Sequence, residues 1–342
     1  MVGRDSRSSA HHHDSCLGTL RPDLGSTMIR PGFRPSVVGR TFWALVCFST
    51  GVTVASVCTA AAPADSLSAR TRVHLELDHA NIAVDDLGLS AFAYQRMGFT
   101  QKPGRPHANS IANQHFKFLD DTELELITAT EPRDALAAEY VAMARVGDGG
   151  AFVALRTNAF DSLAARLGRA GHPLPVSRSE GPRSLSFASR DPLRPVWFLE
   201  TLRPWVERAE FTTHNNTALA LQAVWLSSRL TAAAVALFAA LGYPAHAADA
   251  PVPQTTVIAL DAGELYLVPL VETPSGRPLI GMTIAVERLD SVESILAGAE
   301  VEAVRHTDAR GPSLRVRPAF AQGIWLEFLA SKRSGPRGPG QP

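Results

Sequence analysis

Leu77-Asp78-His79-Ala80-Asn81-Ile82-Ala83-Val84 alternates along the chain. Leu77, His79, Asn81 and Ala83 fall on one face, and Ala80, Ile82 and Val84 on the other, which predicts a strand. Residues 89–97 (LSAFAYQRM) then read as an amphipathic helix closed by Gly98. Strand-like runs follow at 99–102, 110–119 and 123–127. The same order returns three times. A strand at 151–157 leads to a helix at 160–170, Gly171, and strands near Leu185 and at 196–202. A strand at 219–226 leads to a helix at 231–241, Gly242, and strands at 255–260 and 264–270. A strand at 280–286 leads to a helix at 291–297, Gly298, and strands at 301–305, 314–316 and 324–329.

Each unit is thus βαβββ, and one alone cannot close a core. Aligning the four matches His79 with Phe152, Ala220 and Gly281, and Glu125 with Glu200, Tyr266 and Glu327. The first-to-last-strand separations are then 46, 48, 46 and 46 residues. The expected fold is α+β: modules one and two pair into one domain (72–203), and modules three and four into a second (218–331). Each pair should form a curved antiparallel sheet with helices outside. Residues 204–217 read as the linker, and 332–342 as a disordered tail.

Upstream, residues 1–27 have no periodicity and read as a disordered or mis-started extension. From Met28, three arginines precede an uncharged run at 41–62, followed by Ala62-Pro63-Ala64. That pattern makes 28–64 a signal peptide and the protein an exported one, periplasmic or secreted. An uncleaved anchor at 41–62 is the alternative, and the only route to a membrane partner. Cys16, Cys47 and Cys58 all precede residue 65, so the exported chain has no disulfide and no thiol chemistry. Thirty-three basic residues balance thirty-three acidic ones, which disfavours nucleic acid as a partner. A small molecule is the expected ligand. There is no Walker loop, nucleophile elbow or H-E-x-x-H.

The tandem βαβββ pattern resembles the vicinal-oxygen-chelate superfamily of glyoxalase I, extradiol dioxygenases and bleomycin-resistance proteins. L-D-H-A-N-I-A-V-D-D-L, G-F-T, H-A-N-S-I-A-N and L-E-L-I are similar to its glyoxalase-like domain proteins. The resemblance implies metal ligands on the first and last strands of a module pair, here His79, Glu125 and Glu200, with Phe152 in the fourth place. One imidazole and two carboxylates suit Zn, Mn, Fe, Co or Ni; the alternative is no metal, with His79 kept protonated by its carboxylate neighbours. Glu200 or Glu125 would move a proton in a metal-dependent lyase or isomerase acting on a small oxygenated substrate. The competing function is metal-free binding and sequestration of a small molecule, as in bleomycin-resistance relatives.

Substrate contacts are expected from Asn81, His107, Asn113, Phe152, Arg156, His214 and Asn216. For His107 and Asn113 turn capping competes with that role; for His214 and Asn216, fastening of the linker; for Arg156, an ion pair with Glu125 or Glu200. In the second pair Ala220, Tyr266, Gly281 and Glu327 make no metal site. His74, His115, His172, His246 and His306 are expected at the surface, and Trp197, Trp225 and Trp325 in the core. Four modules in one chain suit a monomer; pairing across subunits would give a homodimer.

Overall fold

The computed structural model describes residues 72–178, 181–201, 206–269 and 275–331; the signal segment, the N-terminal extension and the tail lie outside them. Among the described residues no helix is long and apolar enough to cross a membrane.

The first module is β1 (Glu76–Ala83), α1 (Leu87–Arg96), β2 (Lys102–Pro106), β3 (Ile111–Lys117) and β4 (Glu123–Ala129). A helix outside the repeat, α2 (Ala135–Val146), precedes the second module. That module is β5 (Gly149–Thr157), α3 (Phe160–Arg169), β6 (Val176–Ser177), β7 (Ser184–Ser186) and β8 (Val196–Glu200). After the short α4 (Ala209–Thr212) the third is β9 (Ala218–Ser227), α5 (Thr231–Leu241), β10 (His246–Ala248), β11 (Thr255–Ala259) and β12 (Glu264–Val268). The fourth is β13 (Leu279–Val286), α6 (Leu289–Gly298), β14 (Ala303–Asp308), β15 (Gly311–Val316) and β16 (Trp325–Ala330).

Each module pair forms one curled eight-stranded sheet, ordered β2-β3-β4-β1-β5-β8-β7-β6 and β10-β11-β12-β9-β13-β16-β15-β14. The sheets are mixed, which corrects the antiparallel expectation. In every module the helix carries the chain back over the sheet, so the last strand runs parallel to the first, as in β1–β4 and β5–β8. Asp86 caps α1 by accepting from the Leu89 amide at 2.8 Å, and Gly98 ends it at φ 86°, where a side chain would be strained.

The core departs from expectation too. Helices α1, α3, α5 and α6 do not lie on outer surfaces: one apolar cluster joins them to both sheets, from Leu77 and Leu126 to Met282 and Phe328. The all-apolar α5 fits that place, since it buries Ala234, Leu237, Phe238 and Leu241. Where β5 meets β13 the sheets approach so closely that a Cβ on Gly150 would lie 2.2 Å from the Leu279 carbonyl oxygen.

The opposite faces of the two sheets carry smaller clusters. On the first sheet α2 covers this face, burying Ala137 and Tyr140 against Ala83, Ile127 and Phe152. A register shift between Leu77 and His79 adds a residue to β1, so Leu77 joins the shared core instead of the face of His79.

Candidate functional site

Alternation on β1, β3, β4 and β5 points His79, Asn81, Asn113, His115, Lys117, Glu123, Glu125, Phe152 and Arg156 to the α2-covered face. Glu125 is clamped: Asn113 Nδ2 donates to Oε1 at 2.6 Å, and Asn81 Nδ2 to Oε2. Asn81 Oδ1 is buried without a partner. His79 Nδ1 donates to Asp78 at 2.5 Å, and Nε2 lies 3.7 Å from Glu125. Burial alone would lower the pKa of His79; the Asp78 bond and the charges of Asp78, Glu125 and Glu123 outweigh it and raise the pKa to about 9. The imidazole is therefore a buried cation.

Glu123 is the second anchor. Burial would raise its pKa, but the neighbouring His115 and the Lys117 charge hold it well below the usual carboxylate range. His115 Nδ1 is 3.4 Å from Glu123, so this histidine belongs to the cluster and not to the open surface expected for it. Arg156 donates to Glu76 at 2.6 Å and to the Asp121 carbonyl at 2.9 Å, and lies 3.8 Å from Asp78. Its ion pair is thus with neither Glu125 nor Glu200. Burial and the Glu125 charge push the phenol of Tyr140, on α2, well above its ordinary pKa.

Glu200 does not join this group. Val196 and Phe198 on β8 enter the shared core, and Trp197 packs on the α2 side; alternation then sends Glu200 to the core side. There Arg183 holds it at 2.6 and 2.7 Å and lies over the Phe160 ring. The β5–β8 register sets Ala154 against Trp197, and the β13–β16 register sets Thr283 against Glu327. With Phe152 matched to Gly281, the residue equivalent to Glu327 is Trp197. An indole occupies the place expected for a carboxylate, in edge contact with His79 at 5.6 Å.

The second pair is locked by its own side chains. Glu327 is fully buried and accepts from Arg310 at 2.7 and 2.8 Å, Arg315 at 2.9 Å, Ser313 at 3.0 Å and Thr283 at 2.9 Å. Trp225 donates to Thr283 at 2.8 Å and packs against Gly281. The Tyr266 hydroxyl donates to Glu264, and Ala220 borders an opening of 560 Å³ beside Asp120 and Arg310.

His214 accepts from the Thr100 amide at 2.9 Å and donates from Nε2 to the Lys117 carbonyl at 2.8 Å. Asn216 donates to the Met97 carbonyl at 2.9 Å and accepts from the Ala218 amide at 3.1 Å. Both fasten the segment before β9 to the first module. His107 closes the β2–β3 turn, its amide donating to the Ile111 carbonyl at 2.7 Å.

The pocket that opens beside this face was not legible as a site in the sequence. It has a volume of 570 Å³ and lies between α2 and the second module. Leu136, Glu139 and Tyr140 line it from α2; Phe152, Leu174, Phe187, Arg194 and Trp197 face them. His172 borders it as well, against its surface expectation. The Trp197 indole N–H is buried with no protein partner. A glutamate on a helix beside an alanine-rich stretch gave no signal, and Arg194 lay in an unpatterned loop.

Paired βαβββ units, each pair curled into one sheet, define the vicinal-oxygen-chelate class. A family model described as a glyoxalase-like domain matches residues 77–242, so the chain carries a glyoxalase-like domain over that stretch. Among solved structures, one similar chain is a fusion of a xylose isomerase-like TIM barrel with 4-hydroxyphenylpyruvate dioxygenase. It is 13% identical with a TM-score of 0.55 over 79% of this chain, which spans 50% of that one. A triple mutant of 4-hydroxymandelate synthase from Streptomyces coelicolor is 14% identical, TM-score 0.54, over 78% of this chain and 94% of that one. A catechol 2,3-dioxygenase is 13% identical, TM-score 0.50, over 78% and 91%. At these identities the likeness is one of fold. No curated protein matches the sequence.

The residues present do not fit the metal that the resemblance implies. Among the described residues no three His, Cys, Asp or Glu side chains are grouped to hold an ion. Both Glu125 oxygens accept amide hydrogens, Glu200 is on the other face, and Trp197 and Phe152 supply no donor in the second module.

Proposed function

We propose that this is a metal-free protein that takes up a small molecule in the pocket beneath α2, and that the N-terminal pattern directs it to export. Trp197 carries the reading: it sets an apolar wall of the pocket at the position where the resemblance calls for a ligand carboxylate. The pocket's size suits a small organic molecule, and its lining mixes the apolar walls of Leu136, Phe152, Phe187 and Trp197 with polar groups, among them Glu139, Arg194 and four serines. The charged residues around His79 then serve as a rigid, mutually neutralising floor.

Two measurements on the full chain test this. Metal content after incubation with each divalent ion should be equal in wild type and His79→Ala; near-stoichiometric metal lost in the variant would return the metal-dependent lyase or isomerase to first place. Comparing the two proteins cancels any uptake by His11-His12-His13. A thermal-shift screen of small organic compounds should then find ligands that raise Tm in wild type. The shifts should vanish in Leu136→Trp, which fills the pocket; shifts that persist there would place binding elsewhere.

A further inference from the structure

The pocket contains a pair of groups that the binding reading alone does not explain. Glu139, on α2, reaches across to the loop before β8, where Arg194 Nη2 lies 2.7 Å from one carboxylate oxygen and Nε donates to the other at 3.3 Å. Ser189 Oγ donates to that second oxygen. The guanidinium is held in place from below, its carbon 4.3 Å from the centre of the Phe152 ring. The remaining carboxyl at the pocket, Asp191, is committed to its own loop, accepting from the Leu193 amide at 2.8 Å. Arg194 and Ser189 are therefore arranged as a carboxylate receptor, and the protein's own Glu139 fills it.

Resting on the reading of this pocket as a ligand site, we infer that its ligand is a monocarboxylate with an apolar body, and that it binds by displacing Glu139 from Arg194 and Ser189. The apolar body would lie along Leu136, Leu174, Phe187 and Trp197, which line the same space. The exchange swaps one carboxylate for another on the same donors, so no buried charge is left unpaired. Glu139 keeps 18% of its side-chain surface exposed, so it can turn into water from the flank of α2. A neutral ligand gains nothing from the exchange and leaves the Glu139–Arg194 pair closed.

The test uses calorimetric titration of the full chain with hexanoate and with 1-hexanol, which share an apolar body and differ in charge. Glu139→Gln removes the internal competitor and leaves Arg194 without a carboxylate partner. Hexanoate should then bind about tenfold tighter, the equivalent of one charge-assisted hydrogen bond, with 1-hexanol unchanged. Arg194→Gln should abolish the preference for hexanoate over 1-hexanol, and it tests the inference independently should E139Q fail to fold. Hexanoate affinity that is unchanged or weaker in a folded E139Q protein overturns the inference, as does a preference that survives R194Q. If 1-hexanol binds and no discrimination appears, this inference falls and the pocket reading stands. If neither probe binds any of the three proteins, both fall.

Discussion

Replacing Glu327 with alanine is expected to destabilise the protein by about 3–5 kcal/mol, the usual cost of removing one partner from a buried ion pair. The carboxylate has no exposed surface and accepts five hydrogen bonds, three of them from Arg310 and Arg315. Without it two largely buried guanidinium groups retain, among the described residues, only Asp308 as an anionic partner, and the Thr283 and Ser313 hydroxyls lose their acceptor. Urea denaturation read as a fall in midpoint at constant slope measures the loss. Glu327→Gln keeps the shape and an acceptor for the hydroxyls, so it should fall between alanine and wild type. A loss below about 1 kcal/mol for alanine, the scale of a surface pair, would mean that Asp308 compensates both arginines and the network is not what holds this face closed.

Stability should also fall across the alkaline range, and His79 should be the cause. Its pKa stands at about 9 in the folded protein against 6.5 for the free side chain. The unfolded chain gives up this proton first as pH rises. The stabilisation is thus fully present below about pH 6.5, shrinks as pH climbs, and is gone once pH passes about 9 and neither state holds the proton. A gap of that size corresponds to about 3 kcal/mol. The stability difference between wild type and His79→Gln should therefore be large near about pH 6 and shrink by that amount near about pH 9.5. A difference that stays constant over the window would mean that the imidazole is neutral beneath α2.

Much of this architecture was legible because period and punctuation agree. The helix over 231–241 begins and ends where its pattern says, and Gly98, Gly171 and Gly242 take the left-handed φ that closing glycines supply. What escaped was set by geometry that the pattern does not carry. An extra residue in β1 moved Leu77 to the other face without changing its neighbours in sequence. The match of Glu200 to Glu125 required a separation of 48 residues where the other modules have 46, and that mismatch was the available sign against Glu200; only the strand registers identify Trp197 in its place. Helix α2 belongs to no repeat, so a reading organised by repeats passed over it. Asp134 followed by Ala-Leu-Ala-Ala-Glu is nonetheless a capped helix start, its carboxylate accepting from the Ala137 amide at 2.7 Å. The clamp on Glu125 by Asn81 and Asn113 lay within the quoted motifs, but only the β1–β4 and β3–β4 registers bring the three together.

The apolar cluster shared by the two sheets ties the halves of the chain to each other. Family similarity stops at residue 242, within the third module, yet the side chains on both sides of that boundary pack into one cluster. Arg277, near the start of the fourth module, reaches back to the Gly149 carbonyl at 2.7 Å and the Met143 carbonyl at 2.5 Å, sealing the end of α2. The last modules thus brace the roof of a pocket to which they contribute no wall. Removing them would strip the first sheet of the apolar partners it shares with the second and free the end of α2, so the pocket's shape depends on modules that never touch it.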